Sequence, residues 1–237
     1  MFILQNVELI ETAEMQYPDA LITWSFGGNS SLVSLTINNK RNTNSEHWIT
    51  EPSDFFSFNN EGELTYLGLS VPGRNNELAI EAPVTMFGKL KLHNKLHTVE
   101  PTTTRAFDPH NRTLTCINEP FTNERKYSLI KLKDDINIIL AGSHYIGYVL
   151  SNPLNYLTNN TNDSIDSSCP ADDDEYRLMK LFFEIMSDNR VEELNDDMAL
   201  VTIELSNAIL PNIHLIRSSF RKKIIKSSIE ELLDFYS

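Results

Sequence analysis

Four acids in a row, Asp172-Asp173-Asp174-Glu175, are the densest run of ionisable side chains in the sequence. Hard cations take clustered carboxylates, so a metal site is the first chemistry to weigh. Four consecutive acids point in different directions, however, and no alternating D-x-D-x-D-G pattern follows them. A polar run precedes them and a helical apolar period follows, which puts them at a helix start. Carboxylates in a first turn stabilise a helix by about 0.3–1 kcal/mol each against its macrodipole. The expectation is no metal at these four residues, and a surface that faces a basic protein partner.

Other candidate chemistry is weaker. His93 and His97 flank Asn94-Lys95 in a strand–turn–strand pattern, without the glutamate of H-E-x-x-H, and read as turn histidines rather than a zinc pair. No G-x-S-x-G is present, and Ser143-His144 are neighbours on a strand, so their side chains point to opposite faces. Gly27-Gly28-Asn29-Ser30-Ser31 lacks the trailing G-K-[ST] of a phosphate loop and leads into a strand. Cys116 lies inside an alternating pattern and reads as a small buried hydrophobe, while Cys169, before Pro170 in the polar run, reads as exposed. Should the protein be an enzyme, Arg105, Asp108, His110 and His144 are the first residues to test. Asp108-Pro109-His110-Asn111 reads equally well as an ordinary turn. The one basic concentration is Arg217, Arg221, Lys222, Lys223 and Lys226. Arg217 and Arg221 fall on one helical face, placed to pair with the acidic helix before them.

These residues sit in a chain of 237, with 41% hydrophobic and 22% charged residues, enough to build a substantial core. The formal net charge is −13, which argues against naked nucleic acid or an anionic membrane as partner, since both are bound mainly by Lys and Arg. Residues 161–200 hold 12 acidic against 3 basic residues, so most of the excess is local. Two cysteines make neither a disulfide framework nor a zinc site. The N-terminal MFILQNVELIETAE has no basic region before its apolar residues and reads as one strand. No apolar run reaches the roughly 20 residues a bilayer span needs. A cytoplasmic setting with no cofactor is the expectation.

The elements that must position all this change character once along the chain. Residues 1–158 are mostly of period two, and residues 172–237 are mostly of helical period. The least charged stretch, Ile136–Leu157, reads as a hairpin about Gly142-Ser143, where a leading Gly tolerates positive φ. Ile136, Ile138, Leu140, Tyr145, Gly147 and Val149 would share one face, and Ile139, Ala141, Ile146 and Tyr148 the other. Both faces are apolar, so both should be covered. The segment EPTTTRAFDPHNR reads as connection, MFGKLKLHNKLHTVE as a hairpin, and the polar loop at Trp48 and Ile49 as pinned by those two side chains. Three helical stripes follow: Tyr176 to Met186, Val191 through Leu194 and Met198 to Ala208, and Ile213 to Tyr236.

The expected fold class is therefore α+β: an antiparallel β-rich N-terminal two-thirds with C-terminal helices packed on the sheet, docked as one compact unit. No set of nucleophile, base and stabiliser assembles from the sequence. The expected function is a non-enzymatic protein-binding protein, of the kind exemplified by a bacterial immunity-type inhibitor that neutralises a basic toxin or nuclease. The alternatives are a small-ligand protein or hydrolase with a pocket between sheet and helices, and a structural subunit that uses the hairpin's second apolar face.

Overall fold

The computed structural model describes residues 1–26, 31–37, 54–77, 84–94, 99–120, 126–159 and 165–236. The loop at Gly27–Ser30, the segment with Trp48 and Ile49, and His97 lie outside the described residues.

The strands run in chain order as β1 (Phe2–Leu4), β2 (Val7–Thr12), β3 (Leu21–Ser25), β4 (Leu32–Thr36), β5 (Phe55–Phe58), β6 (Leu64–Ser70) and β7 (Arg74–Asn75). They continue as β8 (Val84–Leu92), β9 (Thr104–Asp108), β10 (Thr113–Ile117), β11 (Tyr127–Lys133), β12 (Ile136–Ala141), β13 (His144–Ser151) and β14 (Leu157–Thr158). Then come α1 (Asp173–Ile185), α2 (Asp188–Glu193), α3 (Met198–Ile209) and α4 (Ser219–Tyr236), with 3-10 turns at Pro153–Tyr156 and Leu210–Leu215. The fold class is α+β, with the strands in the N-terminal two-thirds and the helices after them.

Two sheets form. One has nine strands in the order β1-β2-β8-β11-β12-β13-β10-β9-β7, and the other has five in the order β14-β3-β4-β6-β5. Neighbours are antiparallel except at β8–β11, β7–β9 and β3–β14. Inward residues of both sheets and of α1, α3 and α4 belong to one core. Trp24 of the smaller sheet stacks on Phe183 of α1 at 5.9 Å, and Phe107 of the larger sheet meets the same ring at 5.2 Å. Helix α1 thus closes the side of the molecule where β3 and β9 approach.

The central hairpin forms as its sequence demands. Gly142 has φ +61°, Ala141 pairs with His144, and Ile136, Ile138, Ile139 and Leu140 are fully buried. One face assignment is corrected. Ile139 pairs with Gly147 but Leu140 with Tyr145, so Ile146 is an extra residue in β13. This bulge shifts the alternation by one. Tyr148 and Leu150 therefore join Tyr145 in the main core, while Ile146 and Val149 turn to a second cluster with Ile117, Ile139 and Ala141. Gly147 permits the bulge: its φ is +153°, and a Cβ there would sit 2.0 Å from the Cys116 carbonyl oxygen. The second cluster is itself buried, with Ile117 and Ile139 at 0% exposure.

Other elements differ from the periodic reading for local reasons. The N-terminal segment is two strands and not one, because Asn6 turns the chain at φ +66°. Thr104–Asp108, read as connection, is strand β9: its inward residues are Arg105 and Phe107, and an inward arginine hides the apolar alternation. Of the predicted hairpin after Met86, the first arm is strand β8, paired with β2 and β11, and residues 95–98 of its return lie outside the described residues. The second helical stripe is cut in two by Asn195 and Asp196, both left-handed at φ +56° and +61°. Beyond α3 the helix tightens into a 3-10 turn at Pro211. Met198–Leu215 is apolar and long enough to cross a membrane by composition, yet it carries Glu204, changes helix type at Leu210, and buries Val201, Leu205 and Ile209 completely in the core.

Candidate functional site

The four acids at the start of α1 are engaged within the chain. Asp172 is the N-cap, accepting from the N–H groups of Asp174 and Glu175 at 3.1 Å each, and it also pairs with Arg217 at 2.6 Å. Asp173 pairs with Arg112 at 2.8 Å, which holds its carboxyl below the usual range. Asp174 pairs with Arg177 at 2.7 Å. Glu175 is 3% exposed and takes a bidentate hold from Arg221, Nε to Oε2 at 2.7 Å and Nη2 to Oε1 at 3.0 Å. The remaining Arg221 fork donates to the Cys169 carbonyl at 2.6 Å. Burial alone would lower the Arg221 pKa, but the Glu175 carboxylate outweighs it and keeps the guanidinium above its ordinary value.

At the other end of α1 lies a second buried arginine, with a different solution. Arg105 is 5% exposed and donates to the Phe183 and Met186 carbonyls, at 3.3 and 2.5 Å, and to Asn75 Oδ1 at 2.9 Å. Among the described residues no carboxylate pairs with it directly. Its guanidinium lies 4.2 Å over the Phe183 ring. Burial pulls its pKa down to about 10, so it stays charged near neutrality. The carbonyls at the helix C-terminus supply the negative counter-field. Asn75 Nδ2 donates to the same Phe183 carbonyl at 2.7 Å and fixes the arginine between strand and helix.

A third buried polar group ties the two sheets together. Asp54, 3% exposed, accepts from Ser70 N at 2.8 Å, Ser70 Oγ at 2.9 Å and Tyr145 Oη at 2.8 Å. Ser70 Oγ meets Thr102 Oγ1 at 3.1 Å, and Tyr148 Oη donates to the Ser70 carbonyl at 2.9 Å. Burial raises the Asp54 carboxyl despite these donors, lifts Tyr145 and Tyr148 well above the usual phenol, and pushes the Cys116 thiol up to about 12. The cluster is sealed from solvent, and a thiol so far from ionisation is no nucleophile.

The four residues named for an enzyme do not converge. Arg105 points into the core. Asp108 shapes its turn, accepting from the His110 and Asn111 N–H groups at 2.8 and 2.9 Å; burial works against its charged form, but these bonds outweigh that and lower its pKa. His110 is exposed on that turn. His144 is exposed at the opposite end of the sheet, since Thr113 pairs with both Asp108 and Ser151 while His144 begins β13. Seven residues of strand put Asp108 and His144 about 23 Å apart along the sheet. A cavity between α1, α3 and α4 is lined by Leu154, Met179, Phe182, Ile209 and the Glu175–Arg221 pair, and its roughly 10 Å³ admits no more than one water. His93 pairs with Glu8 at 2.6 Å. Among the described residues, no three of His, Cys, Asp or Glu gather where they could hold a metal ion.

The acids left open lie further on, where sequence reading singled out no residue. Ser187 caps α2, and Asp188, Glu192, Glu193, Asp196 and Asp197 follow, all exposed. Arg190 is the sole cation between Lys180 and Arg217, and it is held by Glu193 at 2.9 Å and Glu204 at 2.8 Å. Arg74 reaches Glu192. Asp188, Asp196 and Asp197 are in no ion pair among the described residues. Beside them on α3, Leu200 and Ile203 are about half exposed. The signal that could have found these two was their position: both fall off the apolar stripe through Val201, Leu205 and Ala208. Comparison with protein-family models, curated proteins and solved structures finds no match.

Proposed function

We propose that this protein acts by binding a basic protein partner, as an inhibitor that neutralises a toxin or nuclease would. The observation that carries the reading is the open acidic surface of α2 and the α2–α3 connection, in a chain of net charge −13. Carboxylates with no ion-pair partner among the described residues are free to steer a cationic protein to this face and to reject acidic ones. The run at Asp172–Glu175 contributes its exposed members, Asp173 and Asp174, to the same negative field, but its other two carboxylates serve the fold.

The test begins with capture from native lysate and identification by mass spectrometry, followed by association kinetics against the captured partner. Association slows steeply as salt rises, because rim charges act mainly on the on-rate and are screened beyond about 8–10 Å at physiological ionic strength. Neutralising Asp196 and Asp197 to Asn keeps the left-handed turn and the helix cap while removing charge. It should slow association more than Asp173→Asn with Asp174→Asn, whose charges are already matched by Arg112 and Arg177. A partner that is not basic, or an on-rate indifferent to both changes at low salt, would retire the proposal.

A further inference from the structure

Helix α3 and the 3-10 turn that follows it are more apolar than their burial accounts for: of the eighteen residues Met198–Leu215, only 22% are buried. Val201, Leu205 and Ile209 fill the core at 0% exposure. On the side turned away stand Leu200 at 50% and Ile203 at 51%, three residues apart and hence on one stripe, with exposed Asn207 one turn on. The stripe begins at Asp196 and at Asp197, whose side chain caps the helix by accepting from Leu200 N at 3.2 Å. Arg190 is committed to Glu193 and Glu204, and no Lys or Arg occurs from there to Arg217. An apolar ridge therefore ends in carboxylates with no cation of their own.

We propose that this face of α3 docks a cationic amphipathic helix of the partner, with apolar side chains on Leu200 and Ile203 and Lys or Arg against Asp196 and Asp197. The inference rests on the reading that the partner is basic, and it adds the kind of segment that makes contact. A helix fits better than an added strand, because α3 offers side-chain ridges and no open backbone ladder. A second copy of this chain seated face to face brings Asp196 and Asp197 but no cation to answer them. An anionic membrane is repelled by the same carboxylates.

The probe is a synthetic Leu/Ala/Lys peptide of about 18 residues, five turns long, with Leu at helical spacing and Lys on the flanks. Its controls are the same composition scrambled to spread Leu around the helix, and the amphipathic sequence with Glu for Lys. Binding to the full chain is measured by fluorescence anisotropy and calorimetry. The amphipathic Lys peptide should bind at least about tenfold more tightly than the scrambled one, and the Glu peptide should not bind. Leu200→Ser with Ile203→Ser should weaken the amphipathic peptide by about thirtyfold, to the scrambled level, as expected for losing two half-buried aliphatic contacts. The melting temperature of that variant should fall by only a few degrees, because both side chains are already half in water.

Equal binding of amphipathic and scrambled peptides would overturn the helix-docking proposal while leaving a basic partner in place. Binding of neither would count against both. Sedimentation showing a dimer that the double Ser variant dissolves would assign the face to a second copy. Binding to phosphatidylglycerol vesicles that the same variant abolishes would assign it to lipid, and either result ends the proposal.

Discussion

Two acidic stretches lie about three and a half helical turns apart, at either end of α1, and they are used in opposite ways. At Asp172–Glu175 every carboxylate finds an arginine, and one pair is withdrawn from water altogether. Along Asp188–Asp197 the arginines run out, and Asp188, Asp196 and Asp197 face solvent without an ionic partner among the described residues. The density of acids is higher in the first stretch, yet the charge available to another molecule is greater in the second. A count of charges in sequence measures neither; what matters is which cations the fold brings within reach.

The largest expected effect breaks the first stretch. Glu175→Ala leaves the Arg221 guanidinium buried without its counter-ion and should cost about 3–5 kcal/mol in denaturant unfolding. Replacing both partners, Glu175→Leu with Arg221→Met, should recover most of that loss, because the apolar pair leaves no orphaned charge. If the double variant is no more stable than the single one, the pair holds α1 by more than its charges.

Next in size is the far end of the same helix. Arg105→Met removes the donors to the Phe183 and Met186 carbonyls and should cost about 2–3 kcal/mol. Arg105→Lys should restore only part of it, since an ammonium cannot reach both carbonyls and Asn75 in the fork geometry. Full rescue by Lys would show that charge at the helix terminus is enough and the fork is incidental.

A smaller effect separates buried acid from paired acid by pH. Burial raises the Asp54 pKa in the folded state above its ordinary 3.8, so the folded protein holds that proton where the unfolded chain has lost it. Its contribution to stability is complete below pH 3.8 and is lost as pH rises through the folded value. Asp173 has the opposite sign: its lowered pKa gives stability above pH 3.8 that is lost on acidification. Asp54→Asn should therefore show a smaller loss of melting temperature than the native chain as pH is raised from about 4 to 7. Equal pH profiles would mean the Asp54 carboxyl titrates alike folded and unfolded. The smallest effect belongs to the open stretch, where Asp196→Asn with Asp197→Asn should change stability by less than about 0.5 kcal/mol. Together with a lost salt dependence of binding, that result would complete the contrast with Glu175.

The fold class was legible because period two and helical period occupy separate parts of the chain, and the central hairpin because Gly142 announces its own turn. What stayed hidden depends on single residues whose effect is not periodic. Asn6 and the pair Asn195-Asp196 break elements through left-handed backbone, which looks like any other asparagine or aspartate in a sequence. Arg105 sits where an apolar residue was expected, and so concealed a whole strand. The pairing of Arg221 with the acidic helix could be anticipated from helical spacing. Asp54 could not, because its partners Ser70, Thr102 and Tyr145 are far away in sequence and meet only when the sheets close. The open face of α3 was visible only as an omission: Leu200 and Ile203 were the apolar residues that no stripe needed.

The parallel pairing of β14 with β3 also sets a schedule. Leu157 lies beside Trp24, and the Thr158 hydroxyl donates to the Trp24 carbonyl at 3.3 Å, a closure over more than a hundred residues. During synthesis the strands β3 to β6 emerge early and can pair among themselves, but that edge stays bare until residues 157 and 158 leave the ribosome. Long closures of this kind come late and slowly, whereas the β11–β12–β13 meander needs only neighbouring residues. The nascent chain must therefore carry an open strand edge, with Trp24 beside it, through most of translation. That is the interval in which a truncated or stalled product would be most prone to aggregate.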